Sequence, residues 1–273
     1  MTETKLNDKT FRELRDFIYE KSGIYVSDTK KYLIENRLHR RLLEKKVNSY
    51  EDYLYLIKYS GNGGELTSLL DAVTTNETYF YREPLHFEVI VNSIIPSLIK
   101  KGPNRIKIWS SACSTGEEPY TLAMLLQEKY PLKNMEFEIY GSDISKNVLA
   151  TARKGLYSSY SVRNLPGYLL KKYFTTTNGS YLLSPEIKGM VRLLNINLLN
   201  PGEMVRVRGM DLVLCRNVLI YFDEKAKKRS VSHIYDALKP GGYLLVGAAE
   251  TLHNVTRVFK PSVVNKTIVY KKV

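Results

Sequence analysis

Two adjacent carboxylates, Glu117 and Glu118, open a helical pattern directly after a loop of small residues, within Ile106-Lys-Ile-Trp-Ser-Ser-Ala-Cys-Ser-Thr-Gly-Glu-Glu-Pro-Tyr120. Acids at a helix start suit the positive end of its dipole but repel a phosphate. The loop holds a single glycine, Gly116, so it lacks the G-x-G-x-x-G that lets a backbone approach a pyrophosphate. A nucleotide-like ligand docking here is expected to be neutral or cationic. S-adenosylmethionine, a sulfonium with no phosphate, fits that chemistry better than NAD. Further on, Phe137-Glu-Ile-Tyr140 ends in Gly141-Ser-Asp143, and an acid at the end of a second strand accepts hydrogen bonds from ribose hydroxyls. Asp143 can equally stand beside the cap of a helix starting near Ser145.

These side chains need strands and helices to hold them. Ile106 to Trp109 reads as a buried parallel strand, and Leu122, Leu125 and Leu126 at helical spacing mark the helix that follows. Asp211-Leu-Val-Leu-Cys215 is another buried strand and ends at Arg216-Asn217. Polar side chains at a carboxyl strand end stand where ligands dock in a doubly wound sheet. Val218 to Phe222 then leads to a helix over 224–238. Lys239-Pro-Gly-Gly242 marks a turn before the strand 243–246, and 267–270 supplies a last strand. Tyr181-Leu-Leu183 and Met190-Val-Arg-Leu-Leu194, separated by Ser184-Pro185, predict an antiparallel insertion.

The first 74 residues read as a small all-α domain. Phe11, Leu14, Phe17 and Ile18 lie on one stripe of a helix ended by Ser22-Gly23, and a second helix runs from Asp28, as N-cap, to Val47. Lys30, Arg37, Arg41 and Lys45 share one stripe of that second helix, with Arg40 adjoining. This is either a solvated face or a docking surface. Helices over 49–59 and 65–73 complete the domain around a Gly61-Asn-Gly-Gly64 hinge. The junction Thr74-Thr-Asn-Glu-Thr-Tyr-Phe-Tyr-Arg-Glu83 is too dense in aromatic and polar groups for a plain linker. Domain junctions favour ligand sites.

Composition narrows the class. The chain has 273 residues and 44% apolar residues, ordinary for a globular protein with one α/β domain and a smaller partner. No run nears the ~18 apolar residues a membrane span needs, and the N-terminus lacks a signal peptide's apolar stretch. Two cysteines, Cys113 and Cys215, imply no disulfide framework, and four histidines form no metal motif. The expectation is a cytoplasmic protein without a metal. The net charge of +13 sits almost wholly after residue 75, and no acidic residue lies between Asp143 and Glu186. Such a surface attracts anionic partners.

Four motifs together resemble the CheR family of chemotaxis receptor glutamate O-methyltransferases. They are Thr75-Asn-Glu-Thr-Tyr-Phe-Tyr-Arg82, Ser114-Thr-Gly-Glu-Glu-Pro-Tyr120, Cys215-Arg-Asn-Val-Leu-Ile-Tyr-Phe222 and Lys239-Pro-Gly-Gly242. The likeness spans nearly the whole chain, including Gly23-Ile24 and Asn36-Arg-Leu-His-Arg-Arg41 in the helical part. It implies a class I, Rossmann-like methyltransferase domain over 75–273. A small β insertion would occupy about 175–195, and an all-α receptor-docking domain 1–74. It implies S-adenosyl-L-methionine as cofactor, with S-adenosyl-L-homocysteine as product. Asn76, Thr78 and Arg82 would contact the cofactor from the linker, Glu117 its methionine portion or amino group, Asp143 its ribose, and Asn197 with Leu198 the adenine. Arg216 and Asn217 match a further cofactor pair. Tyr221 matches a tyrosine near the transferred methyl, and Arg82 would help hold the pocket. Arg37, Arg40 and Arg41 would dock the cytoplasmic helices of a methyl-accepting receptor. The implied enzyme is a monomer with no nucleic-acid partner and no membrane insertion. Its insertion, short and without a glycine-rich loop, implies independence from a receptor's C-terminal pentapeptide. The rival readings are a non-catalytic cofactor-binding signalling module and a methyltransferase acting on RNA. The second is disfavoured because no Asn-Pro-Pro-Tyr-like loop or stacking platform appears.

Overall fold

The computed structural model describes residues 5–59, 63–102, 104–130 and 135–273. Four helices come first: α1 (Asp8–Ser22), α2 (Lys31–Lys45), α3 (Tyr50–Tyr59) and α4 (Gly63–Val73). The Asn7 side chain caps α1, and Gly23, left-handed at φ 75°, ends it. Asp28 does not cap α2. It opens a single 3-10 turn, Asp28–Lys30, and pairs with Arg15 of α1 instead. Gly61 and Asn62 of the expected hinge lie outside the described residues, while Gly63 and Gly64 already belong to α4. Leu14, Ile18, Ile34, Leu38, Tyr53 and Leu69 form a core separate from the sheet.

The remainder is a doubly wound sheet. A continuous helical rod of α5 (Pro84–Val89), a π turn and α6 (Ile95–Ile99) leads to β1 (Arg105–Ser110). Then come α7 (Glu117–Lys129), β2 (Glu136–Asp143), α8 (Lys146–Lys154), β3 (Leu156–Tyr157), α9 (Ser159–Val162) and α10 (Gly167–Tyr173). The chain continues through β4 (Phe174–Thr177), β5 (Ser180–Leu183), α11 (Pro185–Gly189), β6 (Val191–Asn195), α12 (Pro201–Met204) and β7 (Met210–Cys215). It ends with α13 (Glu224–Ala237), β8 (Leu238–Val246), β9 (Phe259–Val264) and β10 (Thr267–Lys272). The main sheet runs β6-β2-β1-β7-β8-β10-β9, parallel except for β10 and β9. Strand alternation divides the core: Ile106, Ile108, Leu212 and Leu214 face one helical layer, Trp109, Val213 and Cys215 the other. The order reverses between β1 and β7, so the crevice lies beyond Ser110 and Cys215.

Two expectations are corrected. The segment 190–194 is not an antiparallel partner of 181–183. Ser184 caps α11 and Pro185 occupies its first turn, so the chain crosses over and β6 returns parallel to β2. The small sheet is β3-β5-β4 and begins at Leu156, well before the expected start of the insertion. Lys239-Pro-Gly-Gly242 is not a turn before a strand but a bulge inside β8, where Met210 pairs with Leu238 and Leu212 with Tyr243. Lys239 there donates to both Asp211 oxygens at 2.8 and 2.9 Å.

The helical domain contains its own buried charge. Glu65 of α4, 1% exposed, accepts from Arg41 at 2.7 Å, Lys45 at 2.8 Å and the Tyr53 hydroxyl at 2.8 Å. Burial alone would raise its pKa, but these partners outweigh burial and hold it below the carboxylate range. The stabilisation is therefore present above the unfolded value of ~4.3 and is lost as pH falls through the depressed folded value. Arg41→Ala is expected to destabilise the protein by about 3 kcal/mol in urea unfolding at pH 7. Glu65→Gln should flatten the acid limb of the stability curve below pH ~4.5.

Candidate active site

A cleft of about 1350 Å³, including its open mouth, lies at the switch point between the two domains. Its floor is the β1 exit loop. Gly116 sits there at φ 94°, and an added Cβ would fall 2.7 Å from the Tyr120 ring and 3.0 Å from Ala152, so the turn admits only glycine. Asp143 ends β2 beside this loop and is 7% exposed. One carboxylate oxygen accepts the Ser114 N–H and the other the Ser145 N–H, each at 2.9 Å, so lone pairs on both remain for a ligand. Burial raises its pKa, and the backbone donors oppose that rise. Ser145, not Asp143, caps α8. The buried Ser111 hydroxyl in the same wall makes no hydrogen bond of ordinary geometry, with only the weakly bonding Cys215 thiol near it. A roomy cleft with unfilled acceptors and no phosphate cradle suits a cationic nucleoside.

The linker forms the second wall. Asn76, Thr78 and Arg82 line the cleft, with Tyr79 beside them. The Asn76 carbonyl accepts the Ser114 hydroxyl at 3.0 Å, and Arg82 donates to the Glu77 carbonyl at 2.9 Å. Tyr81 and Glu83, at φ 62° and 58°, occupy the left-handed region that non-glycine residues seldom enter. Arg216, buried at the end of β7, holds them. Its guanidinium donates to His86 Nδ1 (2.9 Å), Glu118 (2.5 Å), the Arg82 carbonyl (2.7 Å) and Glu83 (3.0 Å). Because arginine cannot accept, the Arg216 contact assigns His86 the neutral tautomer with its proton on Nε2, against the opposing pull of Glu83, whose oxygen lies 3.1 Å from the same Nδ1. Burial, and then the Arg216 charge, push its pKa down to about 4. Asn217, left-handed at φ 57°, donates its amide to Glu83 at 3.2 Å.

Asn197, Leu198 and Tyr221 complete the lining. Asn197 donates to the Lys21 carbonyl of α1 at 2.6 Å, which ties the helical domain to the sheet. The Tyr221 carbonyl accepts from Tyr25 N–H at 2.9 Å, whereas its hydroxyl has no partner among the described residues. Glu117 is not among the residues that line the cleft. It is buried behind the wall, accepts the Thr115 hydroxyl at 2.6 Å, and has no ion-pair partner among the described residues. Burial raises its pKa. Glu118 lines the cleft instead, because its position in the first turn of α7 meets Arg216. Adjacency hid this choice, since the two acids differ only in helical phase.

The three arginines of α2 differ in environment. Arg37 faces the cleft and bonds the Val73 carbonyl and the Thr75 hydroxyl, and Arg41 is committed to Glu65 and Glu44. Arg40 alone of the three projects into solvent, 86% exposed and paired with Glu44. Lys30, on the same stripe, is exposed and lines the cleft. The stripe runs along the inner face because α4 and the linker present an acid and carbonyls to it. Sequence spacing shows a stripe but not which side it faces. Among the described residues, no cluster of three or more His, Cys, Asp or Glu could hold a metal ion.

The parallel sheet with its antiparallel β10, and the acid-ended β2 at the switch point, define a class I S-adenosylmethionine-dependent methyltransferase. Residues 76–268 match the family model described as CheR methyltransferase, SAM binding domain, and residues 9–74 that described as CheR methyltransferase, all-alpha domain. The chain belongs to the CheR methyltransferase family, and its cofactor is S-adenosylmethionine. It is similar to chemotaxis protein methyltransferase 2 of Vibrio cholerae, 36% identical over all of this chain and 96% of that protein. It is also similar to the chemotaxis protein methyltransferase of Borreliella burgdorferi, 39% identical over 86% of this chain and 85% of that protein. The Escherichia coli chemotaxis protein methyltransferase is 32% identical over 93% and 88%, respectively.

The neutral His86 has a pH signature. Unfolded, it binds a proton below ~6.5; folded, only below about 4. Stability is therefore complete above pH 6.5 and falls as pH drops towards 4, by up to about 3 kcal/mol. His86→Gln, which keeps an acceptor for Arg216, should flatten this part of a urea-unfolding series at stepped pH.

Proposed function

We propose that the protein methylates glutamate side chains on the cytoplasmic helices of chemotaxis receptors, giving glutamate methyl esters. The observation that carries this is the interdomain cleft, with its ribose-ready Asp143, in a chain similar along its length to chemotaxis protein methyltransferases. Asp143 would hold the ribose and Asn197 with Leu198 the adenine. Asn76, Thr78 and Arg82 would close over the cofactor from the linker, with Arg216 and Asn217 fixing that linker. Glu117 would favour the amino group by charge from behind the lining, since its buried carboxylate has no cation among the described residues. When bound, S-adenosylmethionine supplies an electrophilic methyl group.

The chain's own contribution is positioning and drying. A glutamate with a reference pKa of ~4.3 is ionised at neutral pH, so no general base is required. Tyr221, whose hydroxyl is unpartnered in the cleft, would orient the incoming carboxylate by a hydrogen bond. Apolar Val26, Leu198 and Phe87 in the walls would exclude water. Lys30 and Arg40, rather than the internally committed Arg37 and Arg41, would steer an acidic helix, a rate effect that salt weakens. We read the acceptor as protein rather than nucleic acid, the working unit as a monomer, and its place as the cytoplasm. Among the described residues, no helix is long and apolar enough to cross a membrane.

Methyl-labelled S-adenosylmethionine incubated with an acidic receptor fragment should yield base-labile label on the receptor. Label appearing on RNA instead, or cofactor binding without transfer, would replace this reading by an RNA methyltransferase or a signalling module. Asp143→Ala is expected to weaken cofactor binding ~10–100-fold by calorimetry, the range for a hydrogen bond to a charged group. Tyr221→Phe should lower kcat about tenfold or more while leaving that affinity unchanged. Pentapeptide independence is supported by the two-residue turn Asn178-Gly179 joining β4 to β5, which leaves no long loop to clasp a tail. Receptors with and without their C-terminal five residues should be methylated at equal rates.

A further inference from the structure

Glu250 follows β8 in a turn that belongs to none of the recognised motifs, yet it holds the loop that carries Tyr221. Its carboxylate receives three backbone donors: Asn217 N–H at 2.8 Å and Gly247 N–H at 2.7 Å on one oxygen, Ile220 N–H at 3.2 Å on the other. It makes no ion pair among the described residues. The chain leaves β7 through the left-handed Asn217 and at once forms a single 3-10 turn, Leu219–Tyr221. That path leaves the 217 and 220 N–H groups without a strand or helix partner, and Glu250 supplies one to each, part-buried at 217 and exposed at 220. Gly247 permits the approach: a Cβ there would lie 2.7 Å from the Asn217 amide and 2.8 Å from the Glu250 oxygen. On its far side the same loop is held by the Tyr25–Tyr221 backbone bond and the Ile24–Phe222 bridge.

We infer that Glu250 is a positioning residue for methyl transfer, setting the 217–221 loop so that the Tyr221 hydroxyl meets the acceptor carboxylate. This rests on the role proposed for Tyr221. The chemistry calls for a carboxylate, because only two acceptor oxygens can serve three N–H donors, whereas a glutamine would turn its own NH₂ against one of them. Glu250 does not touch Asp143, on the far strand, but it does hold Asn217, which braces the linker through Glu83, so its loss should lower kcat more than it lowers cofactor affinity.

The test compares Glu250→Asp, Glu250→Gln and Glu250→Ala in the full chain, alone and with Tyr221→Phe. The readouts are kcat, KM for a receptor fragment, and cofactor Kd. The expected order of kcat is wild type, Asp, Gln, Ala, with at least a tenfold loss for Gln, and with a smaller fold-change in cofactor Kd than in kcat for every variant. In the Tyr221→Phe background, Glu250→Gln should cause little further loss, since one acts through the other. Equal fold-losses in both backgrounds, or an unchanged kcat for Glu250→Gln, would overturn the inference about Glu250 alone. Full activity of Tyr221→Phe would overturn the role of Tyr221 instead. If Glu250→Ala does not fold, the Asp and Gln variants, closer in shape, carry the comparison.

Discussion

The Arg216 guanidinium is the contact on which the site depends. A buried arginine cannot shed its proton, so it must be surrounded by acceptors. Glu83 and Glu118 supply charge, His86 and the Arg82 carbonyl supply neutral acceptors, and the Phe87 ring lies 5.4 Å from the guanidinium. These partners come from the linker, from α5 and from the start of α7, so one side chain at the end of β7 sets their mutual register. The left-handed residues Tyr81 and Glu83 make the consequence concrete. Such backbone is unfavourable by about 1–3 kcal/mol per residue and persists only where its surroundings over-determine it. Without the clamp, the C-terminal end of the linker at Arg82 and Glu83 would lose its main restraint, although Ser114, Arg37 and Thr121 hold the linker elsewhere. A buried ion network of this sort is weak evidence for stability and better evidence for a unique arrangement.

The same logic applies to the helical domain, which is built into the cleft. Arg37 braces the first turn of the linker, Asn197 reaches the end of α1, and the Ser145 cap of α8 donates to Asp71 of α4 at 2.6 Å. The cations of α2 therefore divide by environment. Those facing α4 and the linker neutralise or satisfy internal groups, and those at the edge remain for a partner. A charged stripe on a docking helix can thus be mostly structural while its exposed members still carry the long-range field.

Much of this was legible in the sequence. The apolar runs in Ile106–Trp109 and Leu212–Cys215 announce strands buried on both faces, and Asp143 and Arg216 fall at the carboxyl ends of β2 and β7, where topology places polar groups. What eluded sequence reading depends on side-chain direction or on long-range pairing. Ser184-Pro185 serves a tight turn and a helix start equally well, so β6 was assigned to the wrong sheet. The edge strand β9 was missed, since Phe259 is its only buried residue and no apolar alternation marks it. Glu117 and Glu118 are neighbours in sequence but about a hundred degrees apart around a helix, enough to put one behind the wall and the other on it. Glu250 carries no local signal, because what identifies it is the unpaired backbone it serves on another loop.

The chemistry explains why so rigid a site suffices. A reaction whose nucleophile arrives already ionised needs no group poised near its pKa, and so no residue that must change partner during turnover. The wall can then be assembled from saturated groups: Arg216 with its hydrogen-bond acceptors, Arg37 on the linker, and Glu118 in its ion pair. Among the described residues, the polar groups that keep bonding capacity at or behind the wall include Asp143, the Ser111 hydroxyl, the cation-free Glu117 and the hydroxyl of Tyr221. The first three lie on or behind the β1–β2 side, and the last on the β7 loop across the switch point. A cationic nucleoside satisfies the first set and an incoming carboxylate the last, so the two reactants would meet where the strand order reverses. Fixed dipoles and charges that need no rearrangement at the moment of reaction are the form of catalysis open to such a site.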